Sequence, residues 1–343
     1  MKTVHGAALV VAVAGSLAVV AGGAGAPAAA PITLVETDAP IYEFAQDGGR
    51  IAWSARVPGG PPFAAHAAVY VRAAAGGRVA RLTPQPELGN IYDFALAGGR
   101  AVWSAGYDTM STWTIVGTAA IDDRRTRRPA GGQFRLKACD GQWVSTVVGD
   151  GRRLFYSVLE SEEGEDYECV DGVGHVARVV GGRGQKLPGV AGARLLALAG
   201  ATLALVRGWG EREVEVRDAD TGRLETSLRL GGAPRAIALG GDYVAAIVRR
   251  GNSPRLEVRD LATGELRGAV PLRGRLGHAL SAAGDSVVYS TGLAIHVLDV
   301  TTVRSTRVAL AAAPPIGLSI EGRRIAWAEN ARGRAWIKSL TLP

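Results

Sequence analysis

Phe44-Ala-Gln-Asp-Gly48-Gly-Arg-Ile51-Ala-Trp53 returns fifty residues on as Phe94-Ala-Leu-Ala-Gly98-Gly-Arg-Ala101-Val-Trp103, and the frame behind the two copies runs through the whole chain. Its glycines are Gly48, Gly98, Gly151, Gly200, Gly241, Gly284 and Gly322. Four residues before each stand Phe44, Phe94, Val147, Leu196, Ile237, Leu280 and Leu318, and three after stand Ile51, Ala101, Leu154, Leu203, Val244, Val287 and Ile325. Five after come Trp53, Trp103, Tyr156, Leu205, Ala246, Tyr289 and Trp327. Apolar residues therefore alternate with others on both sides of a Gly-rich corner, the period-2 signature of a tight β-hairpin. Glycine suits the corner because it reaches positive φ without a Cβ clash.

The glycines are 50, 53, 49, 41, 43 and 38 residues apart, close to the roughly 40–50 residues of one four-stranded propeller blade. The fold expected is all-β, a seven-bladed β-propeller of four-stranded antiparallel blades. After Gly322 there remain 21 residues, and from Pro31 through Gly48 there are 18, together about one blade more. Ile32-Thr-Leu-Val-Glu36 is therefore expected to supply the outer strand of the last blade, whose third strand is Ala335-Trp-Ile-Lys-Ser-Leu-Thr341. Such a splice leaves no sheet edge unpaired. At 343 residues the chain exceeds one ordinary hydrophobic core, but a repeat array grows by adding interfaces between neighbours. Residues 31–343 are read as a single domain.

Residues 1–30 read as an export leader: Lys2 supplies positive charge, residues 7–20 are mostly apolar, and a small-residue segment follows that includes Ala24-Gly25-Ala26. An uncleaved anchor is the competing reading. The apolar run is short for a bilayer about 30 Å thick, so cleavage is expected, with no transmembrane domain afterwards and a secreted or extracytoplasmic location. Cys139 and Cys169 are the two cysteines. Both fall in loops on the same rim of blade three, and an oxidising compartment would let them form a disulfide; two unrelated buried thiols are the alternative. Two lone cysteines lack the paired spacing of a zinc cluster.

The formal net charge is +7, and removing Lys2 with the leader lowers it by one. Arginine far outnumbers lysine, as in chains from GC-rich genomes, and nucleic acid is not an expected partner of an exported protein. The run Arg124-Arg125-Thr126-Arg127-Arg128 is placed at an outer hairpin turn of blade two as solvated charge. Residues 160–168 carry six acids in nine positions and could offer Ca²⁺ several oxygens. They lack the ordered D-x-D-x-D-G pattern of a calcium loop, so they are read as a solvated insertion, with no cofactor expected.

Val214-Glu-Val-Arg-Asp-Ala-Asp-Thr-Gly-Arg-Leu224 and Leu256-Glu-Val-Arg-Asp-Leu-Ala-Thr-Gly-Glu-Leu266, with a weaker copy from Ile295 to Thr302, resemble the YVTN-type β-propeller repeat over about residues 193–310. The usual Ser-Pro-Asp-Gly turn is replaced by Leu239-Gly-Gly-Asp242 or Ala282-Ala-Gly-Asp285. Propellers with related repeats include secreted binding proteins and redox enzymes, so the resemblance implies architecture and leaves activity open. The tryptophan that follows the turn in quinone-binding propellers is absent. Asp218, Asp260 and Asp299 end strands where a carboxylate accepts backbone N–H bonds across the outer turn, a structural role.

No H-E-x-x-H, G-x-S-x-G or phosphate-loop motif occurs. Of the histidines His66, His175, His278 and His296, the first three fall near one rim, and a zinc or copper site would need them to converge. The most suggestive column lies six residues before the glycines: Tyr42, Tyr92, Ser145, Arg194, Arg235, His278 and Ile316. These residues begin the innermost strands and would ring the channel mouth, with Glu43 and Asp93 beside them and Tyr107, Asp108, Trp113, Trp209 and Arg250 on adjoining loops. Propellers carry sites where loops converge over a rigid scaffold. Tyr42, Tyr92, Arg194, Arg235 and His278 are accordingly the candidate binding residues for a protein, small-molecule or glycan ligand. The favoured function is a non-enzymatic binding or protein-interaction module, expected to be monomeric. The runner-up is a secreted hydrolase or lyase acting on a sugar, lactone or ester, with His278 and Glu43 or Asp93 as its acid–base groups.

Overall fold

A computed structural model describes residues 30–57, 66–73, 75–83, 87–108, 112–122, 125–135, 140–163, 169–171, 173–251, 253–273 and 276–343. They form seven blades of antiparallel strands in a ring. The innermost strands, Ile41–Asp47, Asn90–Ala97, Asp140–Asp150, Leu195–Ala199, Ala233–Leu239, Leu276–Ala283 and Gly317–Glu321, surround a central channel. The ring closes as the period predicts: Ile32–Thr37 pairs antiparallel with Arg334–Thr341, in register from Ile32↔Ser339 to Thr37↔Ala335. No helix of the described residues is long and apolar enough to cross a membrane.

The aromatic column five residues after the glycines explains how neighbouring blades adhere. Trp53 of blade one packs among Ala326, Ala328 and Ile337 of blade seven, and Trp103 of blade two among Ala52 and Val69 of blade one. Tyr156, Tyr289 and Trp327 likewise press on blades two, five and six. Each ring is thus a wedge against the preceding blade, and burying one stabilises the seam by about 2–3 kcal/mol. Gly117 is glycine because any Cβ there would overlap the Trp103 indole.

Six of the seven frame glycines have φ between 53° and 57°. Gly241 departs from this expectation. In blade five the corner is tightened by a Gly240 N–H donating to the Tyr243 carbonyl (3.0 Å), and a Cβ at Gly240 would collide with the Tyr243 ring. Steric room, and not positive φ, selects glycine there.

Two further features depart from seven equal sheets. The outer strand of blade two, Thr126–Arg135, pairs with the inner strand of blade three at Phe134↔Gly141 and Arg135↔Asp140, so the two blades share one continuous nine-stranded sheet. The acidic insertion is also more ordered than a solvated loop at its base. Strand Arg153–Glu163 runs on past the blade and pairs with Cys169–Asp171, matching Ser161↔Asp171 and Glu163↔Cys169. Residues 164–168 lie outside the described residues.

Candidate binding site at the channel mouth

In blades one, two, three and five the polar column at the channel mouth is a column of β-bulges. In blade one the register passes from Ile41↔Ala55 to Glu43↔Ser54 and leaves Tyr42 as the extra residue. The same slip leaves out Tyr92 in blade two, Ser145 in blade three and Arg235 in blade five. In blade four the Arg194 N–H is shared between the carbonyls of Val206 (2.8 Å) and Arg207 (3.1 Å). Blade six has a wider irregularity between Leu276↔Thr291 and Leu280↔Tyr289 that contains His278. A bulged residue leaves the in–out alternation and its side chain is re-aimed, which explains why polar groups recur at one position at the start of otherwise apolar strands.

These side chains are not equivalent. Ser145 Oγ donates to the Ala193 carbonyl (2.5 Å), and Arg194 Nη2 donates to the Pro234 carbonyl (2.5 Å). Each bulge residue thereby ties its blade to the backbone just ahead of the next blade's bulge. Arg194 also stacks its guanidinium over the Trp209 ring at 4.6 Å, leaving that indole 74% exposed. Tyr42 is half-buried against the cluster between blades one and two, whereas Tyr92 is 44% exposed. Arg235 is exposed, lines the channel, and makes no hydrogen bond or ion pair among the described residues. The side chains of His278, Tyr107, Asp108, Trp113 and Arg250 lie outside the described residues.

The channel encloses about 670 Å³. On the blade one to three side, Asp93 accepts hydrogen bonds from Phe94 N–H (2.9 Å), Val147 N–H (2.8 Å) and Thr146 Oγ1 (2.7 Å), clamping blade two to blade three. Burial nevertheless pushes its carboxyl above the usual range. Glu43 is pushed up further, first by burial and then by Asp93. It lies against Gly317 of blade seven, where a Cβ would come 3.4 Å from Oε2. The opposite mouth is occupied by fastening: Asp47 accepts from Gly98 N–H (3.2 Å) and Asp150 from Gly200 N–H (2.5 Å), each carboxylate holding the next blade's hairpin.

Of the remaining expectations, the three aspartates act as foreseen. Asp218 Oδ1 accepts from Thr221 N–H (2.7 Å), Asp260 Oδ1 from Ala262 and Thr263 N–H (2.8 Å each), and Asp299 Oδ1 from Thr302 N–H (2.8 Å). His66 and His175 begin third strands of different blades, while His296 stacks on Tyr289 and bonds Thr291 Oγ1 (3.0 Å). No cluster of three His, Cys, Asp or Glu able to hold a metal ion occurs among the described residues. Cys139 and the side chain of Cys169 lie outside them. A group that sequence reasoning passed over is the buried glutamate of the repeated Glu-Val-Arg-Asp. Glu257 Oε2 accepts from Gly231 N–H (2.9 Å), and Glu329 plays the same part for Ala312 N–H (2.8 Å). For Glu257 the repeated Glu-Val-Arg-Asp was the available signal; Glu329 stands in Glu-Asn-Ala-Arg, outside that repeat.

No family model matches the chain, and no curated protein is similar to it. Solved structures similar in fold include the WD40 β-propeller domain of Doa1, 8% identical with a TM-score of 0.54 over 89% of this chain and 96% of that one. A chain of the mitotic checkpoint complex is 14% identical, with a TM-score of 0.57 over 93% and 98%. Saccharomyces cerevisiae Sqt1 is 10% identical, with a TM-score of 0.50 over 92% and 99%.

Proposed function

We propose that the protein is an extracytoplasmic, non-enzymatic binding or protein-interaction module that presents the rim bearing Tyr42, Tyr92, Arg194, Arg235 and His278 to a protein or a small-molecule or glycan ligand. The observation that carries this reading is the contrast between the two rims. On one, Arg235 is exposed and uncommitted and Tyr92 and Trp209 offer aromatic surface; on the other, carboxylates are occupied in holding turns. Exposed aromatics and arginine are the residue types that dominate binding hot spots. The presence of one similar structure in a complex supports the same reading, as does the resemblance of blades four to six to YVTN-type repeats. The leader supports export, and the Cys139–Cys169 bond would accompany it; mass spectrometry of unreduced peptides tests that bond, and two free thiols would refute it.

A hydrolase or lyase is the second reading, supported by the raised carboxyls of Glu43 and Asp93. Asp93 is already held by three donors as a clamp between blades, which favours binding over catalysis. The test is a hydrogen-exchange footprint with a partner isolated from the cell envelope, followed by affinity measurements. Arg235→Ala and Trp209→Ala are expected to weaken binding at least tenfold with the melting temperature unchanged. A footprint on the opposite rim overturns the assignment.

A further inference from the structure

Where blades two and three share their sheet, a second cavity of about 300 Å³ opens away from the channel. Its cause is local. The outer strand of blade two bulges between Arg127 and Ala130, around Pro129, before it joins the inner strand of blade three. Pro129, Ala130 and Gly131 form one wall of this space, and Trp143, Tyr156, His175 and Lys186 line it with them.

The walls have a definite chemistry. Tyr156 is 2% exposed, its hydroxyl makes no hydrogen bond among the described residues, and Gly184 is required beside it because a Cβ there would overlap that hydroxyl. Lys186 has no ion-pair partner among the described residues. His175 Nδ1 is buried with no partner. Burial and then the nearby Lys186 push the imidazole pKa down, so at neutral pH it adds no second charge. Gln142, which lines the space, donates through Nε2 to Glu160 (2.6 Å), and that carboxylate's charge opposes a multiply charged anion. The Tyr156 and His175 rings meet edge-on, with centroids 6.4 Å apart, and Trp143 and Val158 add apolar surface. Two donors uncommitted among the described residues, on residues set in one row across the sheet (Tyr156↔Ala177↔Lys186) and beside aromatic walls, call for an anionic acceptor on an aromatic body.

We propose that this seam is a second binding site, separate from the channel mouth, for a small aromatic monocarboxylate, its carboxylate accepting from Lys186 and the Tyr156 hydroxyl and its ring lying behind Pro129. Titration calorimetry with benzoate tests it, with benzyl alcohol (ring without charge), acetate (charge without ring), methyl glucoside and sulfate as comparisons. Benzoate is expected to bind saturably and at least tenfold more tightly than any of these. Lys186→Gln, at an exposed position, should weaken benzoate at least tenfold with an unchanged melting curve, and Tyr156→Phe about threefold. Arg235→Ala at the channel mouth should leave benzoate binding intact, which separates this site from the one proposed above. Absence of saturable benzoate binding, equal affinity for benzyl alcohol, tighter binding of methyl glucoside or sulfate, or indifference to Lys186→Gln would each overturn it.

Discussion

Blades four and five and blades two and three solve the same problem, holding neighbours in a ring, by different means. In the regular pair the tie between blades is a side chain, Arg194 of blade four donating to the Pro234 carbonyl of blade five, over a shared apolar cluster that joins Val214 and Leu228 to Ile237 and Val244. Within each blade, Arg217 and Arg259 reach a glutamate on their own strand and donate to the carbonyl of the turn glycine, Gly222 (2.7 Å) and Gly264 (2.9 Å). Arg267 binds Asp242 (2.6 Å) and Asp260 (2.5 Å). In the irregular pair the Asp93 clamp is joined by a backbone ladder that runs from one blade into the next, and a cavity lies beside the bulge in that strand. Repetition therefore marks where the sequence encodes rigidity, and departure from repetition marks where the fold has space to bind something.

The largest effect tests the ring as a whole. Deleting residues 31–38 removes the outer strand of blade seven and the circular constraint together, and should lower stability by several kcal/mol. Hydrogen exchange on the truncated protein should spread through blades seven and one while the ladder between blades two and three keeps its protection; uniform loss would erase the distinction between the two regions.

Next comes a pair of buried polar groups. Glu257 is fully buried and contacts Arg255, Arg259 (3.5 Å) and Gly231 N–H (2.9 Å), so Glu257→Ala should cost about 3 kcal/mol. Ser104 in blade two is also buried, but its hydroxyl has no partner. Ser104→Ala should be neutral or slightly stabilising, because it removes an unpaired polar group. Urea denaturation of both variants measures the contrast, and equal losses would contradict it.

The smallest effects are opposite responses to pH. Asp260 is held at about 2, first by Arg267 and then by the Thr263 N–H. Its stabilisation is fully present above the ordinary value of 3.8 and is lost as the pH falls toward 2. The melting gap between wild type and Asp260→Asn should therefore close over that window. Glu43 is shifted upward, so the folded state holds its proton more tightly than the unfolded chain does. That contribution is present below 4.5 and lost as the pH rises. Glu43→Gln should match wild type at pH 4 and become the more stable protein by pH 7. Parallel pH profiles for the two variants would contradict this opposition.

Ring size, closure and aromatic wedges were readable because they rest on period-2 alternation and on repeats at blade distance, which survive in Phe44, Gly48 and Trp53 and their counterparts. The polar column was visible as residue types at a fixed offset, but its cause was not. A bulge changes register by one residue and leaves no mark in composition, so nothing in Tyr42 or Arg235 alone shows that it leaves the ladder. The joining of blades two and three depends on where Phe134 and Arg135 meet Gly141 and Asp140, a long-range register that no local pattern encodes. The seam cavity follows from that register, and so its Tyr156 looked like one more wedge.

The closing pair also orders events in time. Ile32 is made 307 residues ahead of Ser339, yet they are partners. The strand Ile32–Thr37 has no mate until Arg334–Thr341 has emerged, and its unsatisfied edge must stay out of wrong pairings while six blades assemble. A nascent propeller is consequently a spring with an unlatched end, and Arg334–Thr341 is the latch.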